Sequence, residues 1–346
     1  MNIKSVDICC GLAWGDEAKG KIVSQLSKMK KYNFVCRWSG GNNAGHTVYV
    51  DEFKYKTHLI PCGIFYNIPS IIGPDCVVNA ESFLNEIKYL QDNNFNVSLV
   101  KISPRAHVIT EEHIGEDAST LKITQGSTSK GIAPCYADKY RRVGIQAKDI
   151  EELREFMWDE KLYGNVLCEG AQGFWLDINQ GNYPYTTSSV TLPYNACSLG
   201  FSPKLINNIY GAIKIYDTRV GVDPEFPDSL FENKELELIG KIGEEYGVTT
   251  GRKRKVKWLN IKRLIQAIHI AGVTHLIVSK TDVLQKANLF KLLDPNEILL
   301  SFNTLSQMKF YIETILKENC NLQSIVFSDN PFTITEKNEI FFSNNL

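Results

Sequence analysis

The chain has no apolar run long enough to span a bilayer. It also has no leader built from a charged stretch, an apolar core and a small-residue cleavage site, so the expected location is the cytoplasm. It has almost no net charge: 38 Lys and Arg face 39 Asp and Glu, a formal balance of −1. That balance removes any electrostatic drive for the chain as a whole to bind nucleic acid or an anionic membrane, so a basic site must be local. It has no C-x-x-C pair; nine Cys are scattered, only Cys9 and Cys10 are adjacent, and no His stands near them at metal-ligand spacing. They read as reduced core residues rather than zinc ligands or redox groups. No Pro- or Gly-rich linker, internal repeat or low-complexity tract divides the 346 residues, which predicts a single domain, 1–346, with elaborated loops. The hydrophobic share of 43% is enough to build a sizeable core for such a domain.

One further absence is chemical. Gly15-Asp16-Glu17-Ala18-Lys19-Gly20-Lys21 follows the P-loop spacing, but Ile22 stands where the metal-binding Ser or Thr belongs. The loop carries Asp16 and Glu17 instead, and a carboxylate can supply the oxygen that a hard cation among phosphates requires. Val6–Cys10 reads as a buried strand and Lys21–Leu26 opens an apolar-periodic helix, so the loop is expected at a strand end and a helix N-terminus, where anions bind. Taken alone, a match that lacks its Ser or Thr is weak and reads more readily as a surface turn than as a phosphate site.

Strand-like runs recur at 33–37, 165–168, 209–216, 275–278 and 324–327, separated by helical patterns at 81–91, 150–158, 261–270 and 304–317. This alternation predicts an α/β fold: a mostly parallel central sheet with helices on both faces, long functional loops and a P-loop-like phosphate site. Polar, glycine-dense segments fall at the strand ends, where open α/β sheets bind ligands.

Several of these segments carry chemistry. Ser39–Thr47 combines three glycines with the donors Asn43 and His46, suited to stabilising charge in phosphoryl transfer. Gln125–Ile132 offers hydroxyls and one cation in a flexible loop, a composition shared by nucleotide sites and solvated turns. Asp138–Arg142 is a charge run of the kind found on solvated helix faces. Glu169–Gly173 places Gln172 just past a strand, Tyr183–Ser189 is rich in hydroxyls, and Val248–Lys255 concentrates hydroxyls and cations whose Arg forks match carboxylates or phosphates. Ser279–Asp282 ends an apolar strand with an Asp able to accept from guanine N1 and N2.

In order and in letters, W-G-D-E-A-K-G-K, G-G-N-N-A-G-H-T, H-L-I-P, G-S-T-S-K-G-I, E-G-A-Q-G, Y-P-Y-T-T-S-S, T-R-V-G, T-T-G-R-K-R and K-T-D resemble the adenylosuccinate synthetase family, from near the start to about residue 284. The short chain resembles its compact archaeal and phage-borne members. The resemblance implies a ligase that joins the amine of L-aspartate to C6 of IMP, driven by GTP and Mg²⁺ through a 6-phosphoryl intermediate. It implies Asp16 as the base at N1 and a metal ligand, the Gly45 carbonyl as a second metal ligand, His46 as stabiliser of developing charge, and Gln172 with Asn43 holding the purine. Gly15, Glu17, Lys19, Gly20, Lys21, Arg254, Lys280 and Asp282 would hold the GTP, with Asp282 selecting guanine. Thr128, Thr187 and Arg252 would surround the substrate nucleotide, and Val248, Thr249, Thr250, Gly251 and Arg252 would close on aspartate. Arg142 would reach the nucleotide of a partner subunit, implying a homodimer.

The chain departs from the family pattern at Ala18 (usually Gly), Ser129-Lys130 (Gly-Arg), Asp217 and Asp223 (Thr and Gly), and Asp329-Asn330-Pro331 (Gly-Pro). These departures keep a phage-type alternative open, in which dGMP and ATP replace IMP and GTP. A GTP-dependent binding switch without ligase activity is the alternative from another class; it would need none of Asp16, His46, Gln172 or the aspartate loop.

Overall fold

In a computed structural model, residues 2–247 and 251–335 are described. Eight parallel strands form the central sheet: β1 (Ile3–Gly11), β2 (Phe34–Arg37), β3 (Ser70–Ile72), β4 (Val100–Ile102), β5 (Gly164–Glu169), β6 (Ile206–Lys214), β7 (His275–Ser279) and β8 (Ser324–Phe327). Their order across the sheet is β8-β7-β6-β1-β5-β2-β3-β4, so β1 lies inside it with β6 and β5 as neighbours. Smaller sheets flank it, among them the antiparallel hairpin His46–Val50/Phe53–Thr57 and the mixed sheet containing Tyr216–Arg219 and Lys255–Asn260.

Alternation along each strand separates two cores. Val6, Ile8 and Cys10 of β1, Phe34 and Cys36 of β2, Val166 and Cys168 of β5, and Leu276 and Val278 of β7 all point to one face. Cys9, Val35, Leu167 and Ile277 point to the other. Period-2 side chains buried on both sides are what a covered parallel sheet demands. One face is covered by helices Ile261–Ala271 and Leu305–Asn319, the other by α1 (Lys19–Lys28) and Ala80–Asp92. Asn79, Asn260 and Thr304 start three of these helices by accepting from the N–H of Ser82, Arg263 and Gln307, satisfying donors the helix itself cannot. Among the described helices, none is long and apolar enough to cross a membrane.

Two expectations are revised. The helical pattern at 150–158 forms a 3₁₀ stretch, Glu151–Phe156, whose buried pair, Leu153 and Phe156, three residues apart, falls on one side of a three-residue turn. The strand expected through Tyr216 splits: β6 ends at Lys214, and Tyr216–Arg219 leaves the central sheet to pair antiparallel with Lys255–Trp258. The cysteines are unpaired, and all but the half-buried Cys197 are buried.

Candidate active site

The carboxyl ends of β1, β2, β5, β7 and β8 open on one side of the sheet, and the loops that follow them wall a cleft of about 1030 Å³. Gly15, Asp16, Glu17, Lys19, Gly20 and Lys21 enter it from the β1–α1 connection; Asn43, Gly45 and His46 follow β2; Gln172 follows β5; Lys280 and Asp282 follow β7. Thr128, Thr187, Gly251, Arg252 and Arg254 complete the wall. The segments after β1, β2, β5 and β7 converge because those strands are parallel, while Thr128 follows the helix Lys122–Gln125 and Gly251, Arg252 and Arg254 lead into the strand Lys255–Asn260. Arg142 does not join them: it caps helix Ile132–Arg141 in a left-handed conformation and is exposed outside the cleft of its own chain. Val248, Thr249 and Thr250 lie outside the described residues.

The β1–α1 loop differs from a P-loop in what fills it. Glu17, 1% exposed, turns inward: its Oε1 accepts the N–H groups of Ala13 and Gly15 at 3.2 and 2.8 Å, and its Oε2 takes the Lys19 ammonium at 2.6 Å. An internal carboxylate therefore ties down two backbone donors at the entry to the loop, where an ordinary P-loop carries no such group. A Cβ on Gly11 or Gly173 would collide with this carboxylate at 2.5 or 2.2 Å. Asp16, with φ +60°, turns the other way and leaves its side chain 29% exposed toward the cleft. Ala18 (φ +70°), Gln172 (φ +54°) and Lys280 (φ +68°) share this left-handed backbone, and such conformations in non-glycine residues concentrate at functional sites.

Arg254 ties Asp16 to a buried ionic hub. Its Nε and Nη2 both lie 2.9 Å from Asp16 Oδ2, and its Nη1 donates to Glu245 Oε2 at 2.5 Å. The same Oε2 accepts from Lys214 at 2.8 Å, while Tyr216 donates to Oε1 at 2.7 Å. Burial alone would raise the Glu245 carboxyl, but Lys214 and Arg254 outweigh it and hold the group down at about 2. Lys21 is bonded to Ser328 Oγ (2.7 Å) and the Asn330 carbonyl (3.1 Å); burial and the neighbouring Lys280 lower its ammonium to about 8.

His46 begins the hairpin that follows β2, and its Nδ1 lies 2.5 Å from Glu169 Oε1 at the end of β5. Burial lowers the imidazole from its ordinary range, and Glu169 pulls in the opposite direction. Gln172 donates from Nε2 to Asn43 Oδ1 at 3.2 Å, while its buried Oε1 has no hydrogen-bond partner among the described residues, an acceptor suited to a purine edge. Arg252 donates to the carbonyls of Gly126 and Ser127, bringing the 251–252 segment against the hydroxyl-rich loop at 126–128.

Sequence reasoning missed Glu169, Arg37, Arg219 and Glu245. Glu169 and Arg219 lay inside quoted motifs, which was a usable signal; Arg37 ends a strand and Glu245 sits in a helix-exit turn, and neither carries a local cue. The departures Asp217 and Asp223 are absent from the cleft wall. Asp217 Oδ2 accepts the Asn260 N–H, and burial pushes its carboxyl up to about 7. Asp223 is held by Asn182, the Glu225 N–H and Arg219, whose Nη2 also donates to the Tyr185 carbonyl.

A family model described as adenylosuccinate synthetase matches residues 8–164 and 153–293. The chain belongs to the adenylosuccinate synthetase family. An adenylosuccinate synthetase of Lysinibacillus sphaericus is 37% identical over 334 residues, covering 80% of this chain and 77% of that protein. One of Clostridium botulinum is 38% identical, with 81% and 78% covered. Among solved structures, the fully ligated adenylosuccinate synthetase of Plasmodium falciparum superposes with a TM-score of 0.81 at 27% identity, over 95% of this chain and 98% of that one. A cyanophage S-2L succinoaminodeoxyadenylate synthetase bound to dGMP and dATP shares the fold, with a TM-score of 0.72 at 20% identity. Membership makes the chain a carbon–nitrogen ligase of GTP-dependent purine biosynthesis acting on small molecules.

Proposed function

We propose that this chain joins the amino group of L-aspartate to C6 of IMP, with GTP converted to GDP and phosphate. The observation that carries this reading is the gathering of Asp16, His46 and Gln172 on one cleft at the carboxyl ends of the sheet. The C6 oxygen of IMP is amide-like and leaves poorly, so it must first be phosphorylated. Asp16 takes the N1 proton, and the electrons released let O6 attack the γ-phosphorus as the β–γ bridging oxygen departs with GDP. His46 stabilises charge gathering on the transferred group. The aspartate amine then adds at C6, loses a proton, and the C6–O bond breaks to release phosphate. Gln172 and Asn43 orient the purine, and Gly251 with Arg252 faces the aspartate. Thr128 and Thr187 flank the nucleotide, and Asp282 accepts from guanine in the donor. Lys19, held against Glu17 inside the loop, and Lys21 both line the cleft and serve the GTP phosphates. The Asp16 carboxylate and the Gly45 carbonyl are hard oxygen donors on one wall, a set that fits Mg²⁺, which when bound would neutralise phosphate charge.

The phage-type alternative requires an acceptor for the 2-amino group of dGMP. Asp217 and Asp223 are the candidates; both are buried and neither lines the cleft, Asp217 accepting from Asn260 and Asp223 being held by Asn182 and by Arg219 at the cleft's edge, which favours IMP. Phosphate release with aspartate, crossing IMP and dGMP with GTP and ATP, tests this. IMP with GTP is expected to lead; a tenfold higher kcat/KM for dGMP with ATP would replace the main reading with the alternative.

We further read the chain as one domain and as a homodimer of the cytoplasm, the compartment that nine unpaired cysteines suit. The exposed Arg142, outside its own cleft, is available to a neighbour's. Arg142→Leu is expected to weaken IMP binding, and mixing it with Asp16→Asn subunits should regenerate activity in hybrid dimers that hold one site with both residues intact. Inactive hybrids, with subunit exchange confirmed, would rule sharing out.

A further inference from the structure

β2 and β5 pair in parallel register with Arg37 opposite Glu169, so the last residues of two buried strands meet side by side. Both side chains are wholly buried, and Arg37 Nη1 lies 3.5 Å from Glu169 Oε1. Arg37 Nε, Nη1 and Nη2 have no hydrogen-bond partner among the described residues, which leaves Glu169 as the carboxylate facing this cation. The other oxygen, Oε2, accepts the Cys62 N–H at 2.7 Å. A carboxylate fixed on two sides then meets His46 Nδ1 at 2.5 Å. On the α1 side, a Cβ at Gly20 would stand 2.8 Å from His46 Cβ, so that glycine gives the histidine its place.

We propose that Glu169 is a positioning residue for the ligase reaction: it holds the Nδ1–H of His46, so that Nε2 is the nitrogen presented to the cleft, while Arg37 and the Cys62 N–H fix the carboxylate. An ionised carboxylate only accepts, whereas each nitrogen of a neutral imidazole can donate or accept. The contact therefore selects the tautomer and stops the ring from exchanging its nitrogens by a flip about χ2. Cys62 Sγ, His46 and Glu169 also lie within 4.8 Å of one another, a donor set a metal could use, but the Arg37 guanidinium beside them opposes a cation. The inference rests on the ligase reading, in which His46 acts on transferred charge.

The test is a double-mutant cycle in the phosphate-release assay with IMP, aspartate and GTP, joined to ¹⁵N-histidine spectra of the full chain. Glu169→Gln is expected to lower kcat by about 10- to 10⁴-fold, the upper end being the loss when the carboxylate that fixes a general-base histidine's tautomer becomes an amide, with little change in KM. Glu169→Asp should recover part of the rate. In a His46→Asn background the same Glu169→Gln change should cost at most about threefold more, since nothing remains to orient. The wild-type spectrum should show His46 protonated at Nδ1 and bare at Nε2, and Glu169→Gln should give a mixture. Should Glu169→Gln leave Arg37 uncompensated and fail to fold, Arg37→Gln/Glu169→Gln removes both charges and carries the same cycle. Equal losses in both backgrounds, or a wild-type ring protonated at Nε2 alone, overturn the proposal. A wild type that releases no phosphate overturns the ligase reading instead, and the spectra still decide which nitrogen Glu169 holds.

Discussion

Asp16→Asn is expected to lower turnover by about 10² to 10⁴-fold, the usual range for removing a general base, while IMP and GTP still bind. Asn keeps the shape and one oxygen acceptor but cannot take the N1 proton, so O6 remains an amide oxygen and phosphorylation stalls. The left-handed backbone at φ +60° tolerates the change, because Asn adopts that region more readily than most residues. Loss of the negative charge also frees the Arg254 fork, which rests on Oδ2 through two nitrogens. Arg254 keeps its bond to Glu245 and is not stranded, so the fold should hold. Phosphate release gives the rate, and calorimetric titration gives nucleotide binding. Near-normal turnover would remove Asp16 as the base; loss of IMP binding with it would recast Asp16 as a binding residue.

Asp16 and His46 were legible in the sequence because each sits in a glycine-rich loop directly after an apolar strand, and parallel strands deliver such loops to one edge. The same logic reached Gln172, Lys280 and Asp282. What it could not reach was the direction in which side chains turn. Asp16 and Glu17 are adjacent in sequence, yet one faces the cleft and the other folds back onto Ala13, Gly15 and Lys19, because φ +60° at Asp16 reverses the loop between them. Arg37 and Glu169 are 132 residues apart and meet only through the register of β2 with β5, information held in long-range pairing rather than in either segment. The 3₁₀ stretch at Glu151–Phe156 shows a related limit: apolar residues three apart satisfy both a short tight turn and the start of an α-helix.

The other large effect concerns Glu245, which no motif marked. Lys214, Arg254 and Tyr216 all converge on its carboxylate, and both cations are buried with it. Glu245→Gln is expected to destabilise the protein by about 3 to 5 kcal/mol, because breaking a buried ionic cluster at one partner leaves the remaining charges uncompensated. For a chain of this size that corresponds to a fall in Tm of roughly 4 to 7 °C. The pH dependence has a definite sign. The folded-state carboxyl is depressed to about 2, below the ordinary value of about 4.3, so its stabilising contribution is complete above that ordinary value and disappears as pH falls through about 2. Calorimetric scans of both proteins should therefore show the full Tm gap at pH 6 and a narrower gap at pH 3. Arg254→Met offers a second view, since it removes one of the two cations and with it the tie between the hub and Asp16. A Tm gap that widens in acid, or a Glu245→Gln protein as stable as the wild type at pH 6, would mean that Glu245 is not the anion holding this hub together.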